Sequence, residues 1–111
     1  MMGTANPKVL AEFYEKVFGK QADMHEGEWY GWNTGSTFFN IGAHSEVKGQ
    51  SKDPSRIIIN FESEDVAGEF ARISQFAKVI KAPYQMETAW IATLCDPDGN
   101  YFQLMSPWKQ E

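Results

Sequence analysis

The side chains able to do chemistry are few and scattered. His25 and His44 are the two histidines. Both sit beside loop-like sequence with no Cys or His partner at ligand spacing, so both read as exposed imidazoles. Cys95 has no histidine or basic neighbour in sequence to lower its pKa and reads as a buried structural thiol. Glu62, Glu64 and Asp65 stand just before an apolar-periodic run, which makes them the solvated start of a helix and not an acid–base pair. Gly31 and Gly35 lack the lysine and the following helix of a phosphate loop.

What remains lies on strand-like segments. Arg56, Ile58 and Asn60 share one face of such a segment by alternation, and Tyr101, Gln103 and Met105 share one face of another. Trp32, Phe39 and Trp90 lie on neighbouring segments and are placed on the same side. Apolar walls with few fixed polar groups suit a small-molecule site. The Arg56 guanidinium can fork onto a carboxylate or phosphate, and the Gln103 amide can donate and accept. The rings can stack on a flat body, or hold a cation at about 0.5–2 kcal/mol per contact.

The elements that would position these groups are legible in order. Asn6 is a good helix N-cap, Pro7 a good first helical residue, and Leu10, Phe13, Tyr14, Val17 and Phe18 form one apolar stripe. Gly19 follows as a stop, so a helix is predicted over Pro7–Phe18. Residues 21–26 are weakly extended. Residues 28–33, with Trp29, Tyr30 and Trp32, and residues 37–42 read as strands around a turn at Thr34, Gly35 and Ser36. Residues 43–55 read as a surface linker. Residues 56–61 are a β-branched strand. Ser63 caps a second helix predicted over 63–77, with Val66, Phe70, Ile73 and Ala77 as its stripe. Residues 78–85 read as a strand interrupted near Pro83, and 90–95 and 100–105 as strands joined by the turn Asp96-Pro97-Asp98-Gly99. Residues 108–111 read as a short polar tail.

Length and composition bound the rest. A chain of 111 residues that is 42% apolar is one domain with a real core. A single cysteine excludes an internal disulfide and suits a reducing compartment. No apolar run approaches a membrane span, and no charged-then-apolar leader opens the chain, so the expectation is a cytoplasmic protein with no membrane partner. A formal net charge of −5 argues against nucleic acid.

The chain also repeats itself. Leu10-Ala11 aligns with Val66-Ala67, Tyr14 with Phe70, and Lys16-Val17 with Arg72-Ile73, all at one offset. Trp29 falls near Trp90, and Gly35-Ser36-Thr37-Phe38 near Gly99-Asn100-Tyr101-Phe102. Strand, helix, strand, strand, strand is thus written twice. The repeat, the Asp-Pro-Asp-Gly-Asn turn before the last strand, and the opening Asn6-Pro7-Lys8 through Phe13-Tyr14 to Phe18-Gly19 resemble the vicinal oxygen chelate superfamily. That superfamily holds glyoxalase I, bleomycin and fosfomycin resistance proteins, and extradiol dioxygenases. The resemblance implies an α+β fold of two tandem βαβββ modules, about 1–42 and 56–106, forming a cleft-like half-open barrel in one domain spanning 1–111. It also implies that the residues picked out above line the cleft.

In the metal-dependent members, divalent-ion ligands come from the first and last strand of each module. Carried over by resemblance, the last-strand position is Gln103, where a glutamate would ligate. Its counterpart in the first module is Phe39, and the fifth-strand position is Arg56. A guanidinium about 4 Å from a dication would repel it by about 8 kcal/mol at an effective dielectric near 20. No metal, no cofactor and no catalytic residue are therefore expected. The leading expectation is a metal-free, homodimeric binding protein of the bleomycin-resistance type that holds a small organic molecule in its cleft. The alternatives are a lyase, isomerase or dioxygenase relative with atypical ligands, and a purely structural module.

Overall fold

A computed structural model describes residues 1–107; the tail expected at 108–111 lies outside them. The chain forms two compact units, Met1–Gln50 and Ser51 onward. Each is a helix on a four-stranded sheet with the element order expected.

In the first unit, β1 (Met2–Thr4) leads to α1 (Pro7–Phe18), then β2 (Met24–Glu26), β3 (Trp29–Thr34) and β4 (Thr37–Ala43). The sheet order is β1-β4-β3-β2, with β1 parallel to β4 and the other pairs antiparallel. The helix has the predicted bounds. Asn6 precedes it without a side-chain cap; Thr4 Oγ1 instead accepts from the Asn6 N–H at 3.0 Å. Gly19 ends it in the left-handed region at φ 72°, donating its N–H to the Glu15 carbonyl. Leu10, Tyr14 and Val17 turn the apolar stripe onto the sheet.

The second unit repeats this as β5 (Ile59–Glu62), α2 (Val66–Ile73), β6 (Lys78–Met86), β7 (Ala89–Cys95) and β8 (Tyr101–Met105). Its sheet order is β5-β8-β7-β6, with β5 parallel to β8. Three expectations need correction. The fifth strand begins at Ile59, not at 56, because the Arg56 N–H closes a turn onto the Asp53 carbonyl at 3.0 Å. The second helix is shorter than 63–77. Its cap is Asp65, whose carboxylate accepts from the Gly68 N–H, while Ser63 Oγ accepts from the Asp65 N–H. After Ile73 the N–H groups of Phe76 and Ala77 both return to the Ile73 carbonyl, which unwinds the last turn. Pro83 does not break β6. It sits between Lys81 and Tyr84, where the pairing with β7 shifts register, and β6 is an edge strand with no need of that N–H.

Candidate functional site

Cross-strand register sorts the second sheet into two faces. Phe102 and Leu104 of β8 are buried against α2, paired with Leu94 and Ala92 of β7. The residues between them point the other way. On that far face Gln103 pairs with Thr93 of β7 and with Asn60 of β5, and Thr93 pairs with Lys81 of β6. Lys81, Thr93, Gln103 and Asn60 thus form one straight row across all four strands.

Gln103 Nε2 donates to Thr93 Oγ1 at 3.1 Å. Thr93 is only 7% exposed and Gln103 half-buried. Lys81 Nζ lies 4.2 Å from the centroid of the Tyr84 ring, a cation–π contact. Rows of mixed character flank this one. Tyr84, Ile91, Met105 and Glu62 lie on one side, and Lys78, Cys95 and Tyr101 on the other. The Cys95 thiol pKa is raised above its ordinary 9.0, first by burial and then by the adjacent Asp96 charge, with Lys78 opposing. A half-buried thiol with its pKa pushed up carries little thiolate near neutral pH.

The expected site residues divide on this frame. Gln103, Asn60, Tyr101 and Met105 share the far face. Ile58 precedes β5, half-buried. Arg56 stands off the strand, exposed, with its Nε 3.2 Å from Asp53 Oδ2. Trp90 alternates with Thr93 and so belongs to the α2 side, where it borders a hollow of about 250 Å³ with Val66 and Ser106. The placement of Trp90 beside Gln103 therefore does not hold. Nor does that of Trp32 and Phe39, which pack under α1. Phe39 lies 5.0 Å from the Tyr14 ring and 5.3 Å from Phe18, and Trp32 5.5 Å from Phe18. Trp32 is 1% exposed, with Nε1 donating to the Lys20 carbonyl.

The far face of the first sheet carries instead Trp29, Gly31 and Asn33 of β3 with Gly42, Asn40 and Phe38 of β4. The far end of the Phe38 ring reaches over Gly31, where a Cβ would meet its Cζ, and glycine has no side chain to hold it off. His25 does not stand alone: it stacks on Tyr30 at 4.1 Å and 15°. Both border a groove of about 330 Å³ beside α1 with Glu12 and Glu15.

Thr93 and Lys81 were missed by sequence reasoning. The central strand β7 is buried on both faces, so its apolar run shows no alternation to read. The register shifts in β6 hide the parity of Lys81. The signal that could have found Thr93 is its place opposite Gln103 in the hairpin closed by Asp96 to Gly99.

No protein-family model and no curated protein matches the sequence. Solved structures do. A glyoxalase/bleomycin resistance protein/dioxygenase family enzyme from Burkholderia phytofirmans aligns with TM-score 0.74 and 25% identity, over 95% of this chain and 93% of that one. A glyoxalase/bleomycin resistance protein from Albidiferax ferrireducens aligns at 0.75 and 18%, over 97% and 95%. A bleomycin-binding protein complexed with bleomycin aligns at 0.73 and 19%, over 96% and 94%.

The chain has the vicinal oxygen chelate fold.

That fold allows a test of the implied ion. The residue opposite Gln103 on the first strand of its unit is Asn60, not Arg56. In the first unit the corresponding far-face positions on β1 and β4 are Gly3, Gly42 and Asn40, not Phe39. Matching Gly35 with Gly99 sets Phe39 opposite Gln103 in sequence, but the two hairpins have loops of different length, so the facing differs. Amides, a hydroxyl and glycines offer neither imidazole nor carboxylate, and Glu62 stands one position along β5 beside Met105. Among the described residues no three of His, Cys, Asp and Glu converge on a point that could hold a metal. The donor set does not fit the ion of the metal-dependent members. Among the described residues no helix is long and apolar enough to cross a membrane.

Proposed function

We propose that the protein binds a small organic molecule on the far face of its β5–β8 sheet, using amide and hydroxyl groups where metal-dependent relatives of this fold use ligands. The observation that carries this reading is the Gln103–Thr93 pair. It is a polar contact on a half-buried face, bordered by Ile91, Met105 and Tyr101. A neighbour of the same fold that binds bleomycin supports a binding role. The protein acts in the cytoplasm, which suits its single free thiol. It works as a two-fold homodimer, since β6 is an edge strand with Val79 and Ile80 exposed.

The test is a melting screen of the purified protein against bleomycin and flat polar aromatics, with and without zinc, nickel and iron. A binder should raise the melting temperature equally in both conditions, and light scattering should give a dimer mass. Near-stoichiometric metal that a chelator removes would favour the second reading, a lyase, isomerase or dioxygenase with atypical ligands. The Asn60→His, Gln103→Glu double variant should take up divalent metal above the wild type.

A further inference from the structure

The row Lys81–Thr93–Gln103–Asn60 has a direction. Gln103 Nε2 donates to Thr93 Oγ1, so the Thr93 oxygen is used as an acceptor. Its own O–H then remains to donate. Among the described residues Gln103 is the partner found for Thr93 Oγ1, and the residue is 7% exposed. A hydroxyl can donate one bond while it accepts another, so a ligand oxygen can add a bond at Thr93.

The neighbour in the row toward the sheet edge is a cation. Lys81 is held over the Tyr84 ring, and Lys78 stands on the same face in the adjoining row, paired with Cys95. The carboxylate on this face, Glu62, is at the opposite edge, on β5. Charge is therefore graded across the sheet, positive at β6 and negative at β5. Arg56 does not contribute, being engaged with Asp53 and off the strand.

The geometry points to an organic acid as the ligand. Its carboxylate, or another oxyanion, sits at Lys81 Nζ and the Thr93 hydroxyl. Its flat apolar body lies over Ile91 and Met105, and a neutral polar substituent meets the Gln103 carbonyl oxygen and Asn60. The charged donor and the Thr93 hydroxyl act together, since hydrogen bonds to an ionised group are the stronger kind. Selection for an acid rests on the proposed binding face, and it fails separately from it.

The test uses three probes with one aromatic body: 2-naphthoate, 2-naphthamide and 2-naphthamidine. Each is titrated into the isotope-labelled full chain while backbone amide shifts are followed. The acid should bind about tenfold or more tighter than the amide, with shifts centred on Lys81, Thr93 and Gln103. Lys81→Gln and Thr93→Val should each remove most of that preference for the acid over the amide. Thr93→Ser keeps the hydroxyl and should keep the preference, which separates the lost donor from disturbed packing. Lys48→Gln, in a loop of the other unit, should change nothing. If the amide or amidine binds at these residues as tightly as the acid, acid selection is overturned and the binding face stands. If the acid shifts amides elsewhere, or none at all, acid selection is overturned as well. The binding face then falls only if the wider melting screen also finds no binder that moves these amides.

Discussion

The two βαβββ units share strand order and helix placement, yet they present different chemistry on the sheet face away from the helix. In the first, the end of the Phe38 ring reaches over Gly31 and Trp29 packs 5.8 Å from that ring, so the unit's own rings occupy the face. In the second, a row of ammonium, hydroxyl and amides crosses the sheet. One cause is the hairpin. Thr34 pairs with Thr37 across Gly35 and Ser36, whereas Cys95 pairs with Tyr101 across a five-residue loop, 96–100. The closing pair faces the helix in the first unit and away from it in the second, so parity inverts along everything that follows. A duplicated frame can thus keep its core and exchange its faces by a change of loop length.

The comparison breaks most visibly in the cores. Phe102 is fully buried under α2, as Tyr14 is under β4. Phe102→Ala should cost about 3–5 kcal/mol, read by urea denaturation. A cost under about 1 kcal/mol would mean that the second unit does not depend on its helix–sheet packing.

The hairpins come next. The Asp96 carboxylate accepts from the N–H groups of Asp98 and Asn100 at 2.9 Å each and from Asn100 Nδ2 at 3.0 Å. Asp96→Ala strands these donors and should cost about 2–4 kcal/mol. Gly35, at φ 77°, shapes the other hairpin by conformation, and one side-chain bond spans it, from Thr34 Oγ1 to the Thr37 carbonyl at 2.9 Å. Gly35→Ala should cost only about 1 kcal/mol. Equal costs in the two variants would remove the distinction between a turn gathered by one carboxylate and a turn whose key residue acts by conformation.

A smaller effect tests the covered face. Gly31→Ala sets a Cβ against the Phe38 ring. The ring is 38% exposed and can swing out, so the cost should be about 1 kcal/mol. The signature is loss of ring-current shifts between Phe38 and Trp29 in proton spectra.

The smallest effect concerns Cys95. Burial holds its thiol protonated beyond the ordinary value of 9.0. The stability this contributes is complete below that value and is lost as pH rises through the raised folded pKa. At pH 8 the native thiol should react with a disulfide reagent more slowly than the denatured chain does. An equal or faster rate would show an exposed, activated thiolate.

Much of the fold was legible in the residues. The α1 bounds followed from Pro7, the stripe and Gly19, because a helix start, period and stop are local events. The doubled order followed from matched stripes, and the last hairpin from Asp-Pro-Asp-Gly. Boundaries were less secure where several caps compete: Ser63 and Asp65 are both good N-caps, and only the Gly68 N–H decides between them.

The sequence by itself determined the order of the helices and of most strands, and that Gln103, not an acidic residue, lies on the strand after the Asp-Pro-Asp-Gly turn. Tertiary structure decided which way the side chains face. Trp32 and Phe39 look like walls of a site until α1 is laid over them. Thr93 looks like one more core residue until β8 sets Gln103 beside it. The physical reason is that alternation fixes only relative parity along one strand. Absolute facing depends on loop length, on bulges such as those in β6, and on which face the helix covers.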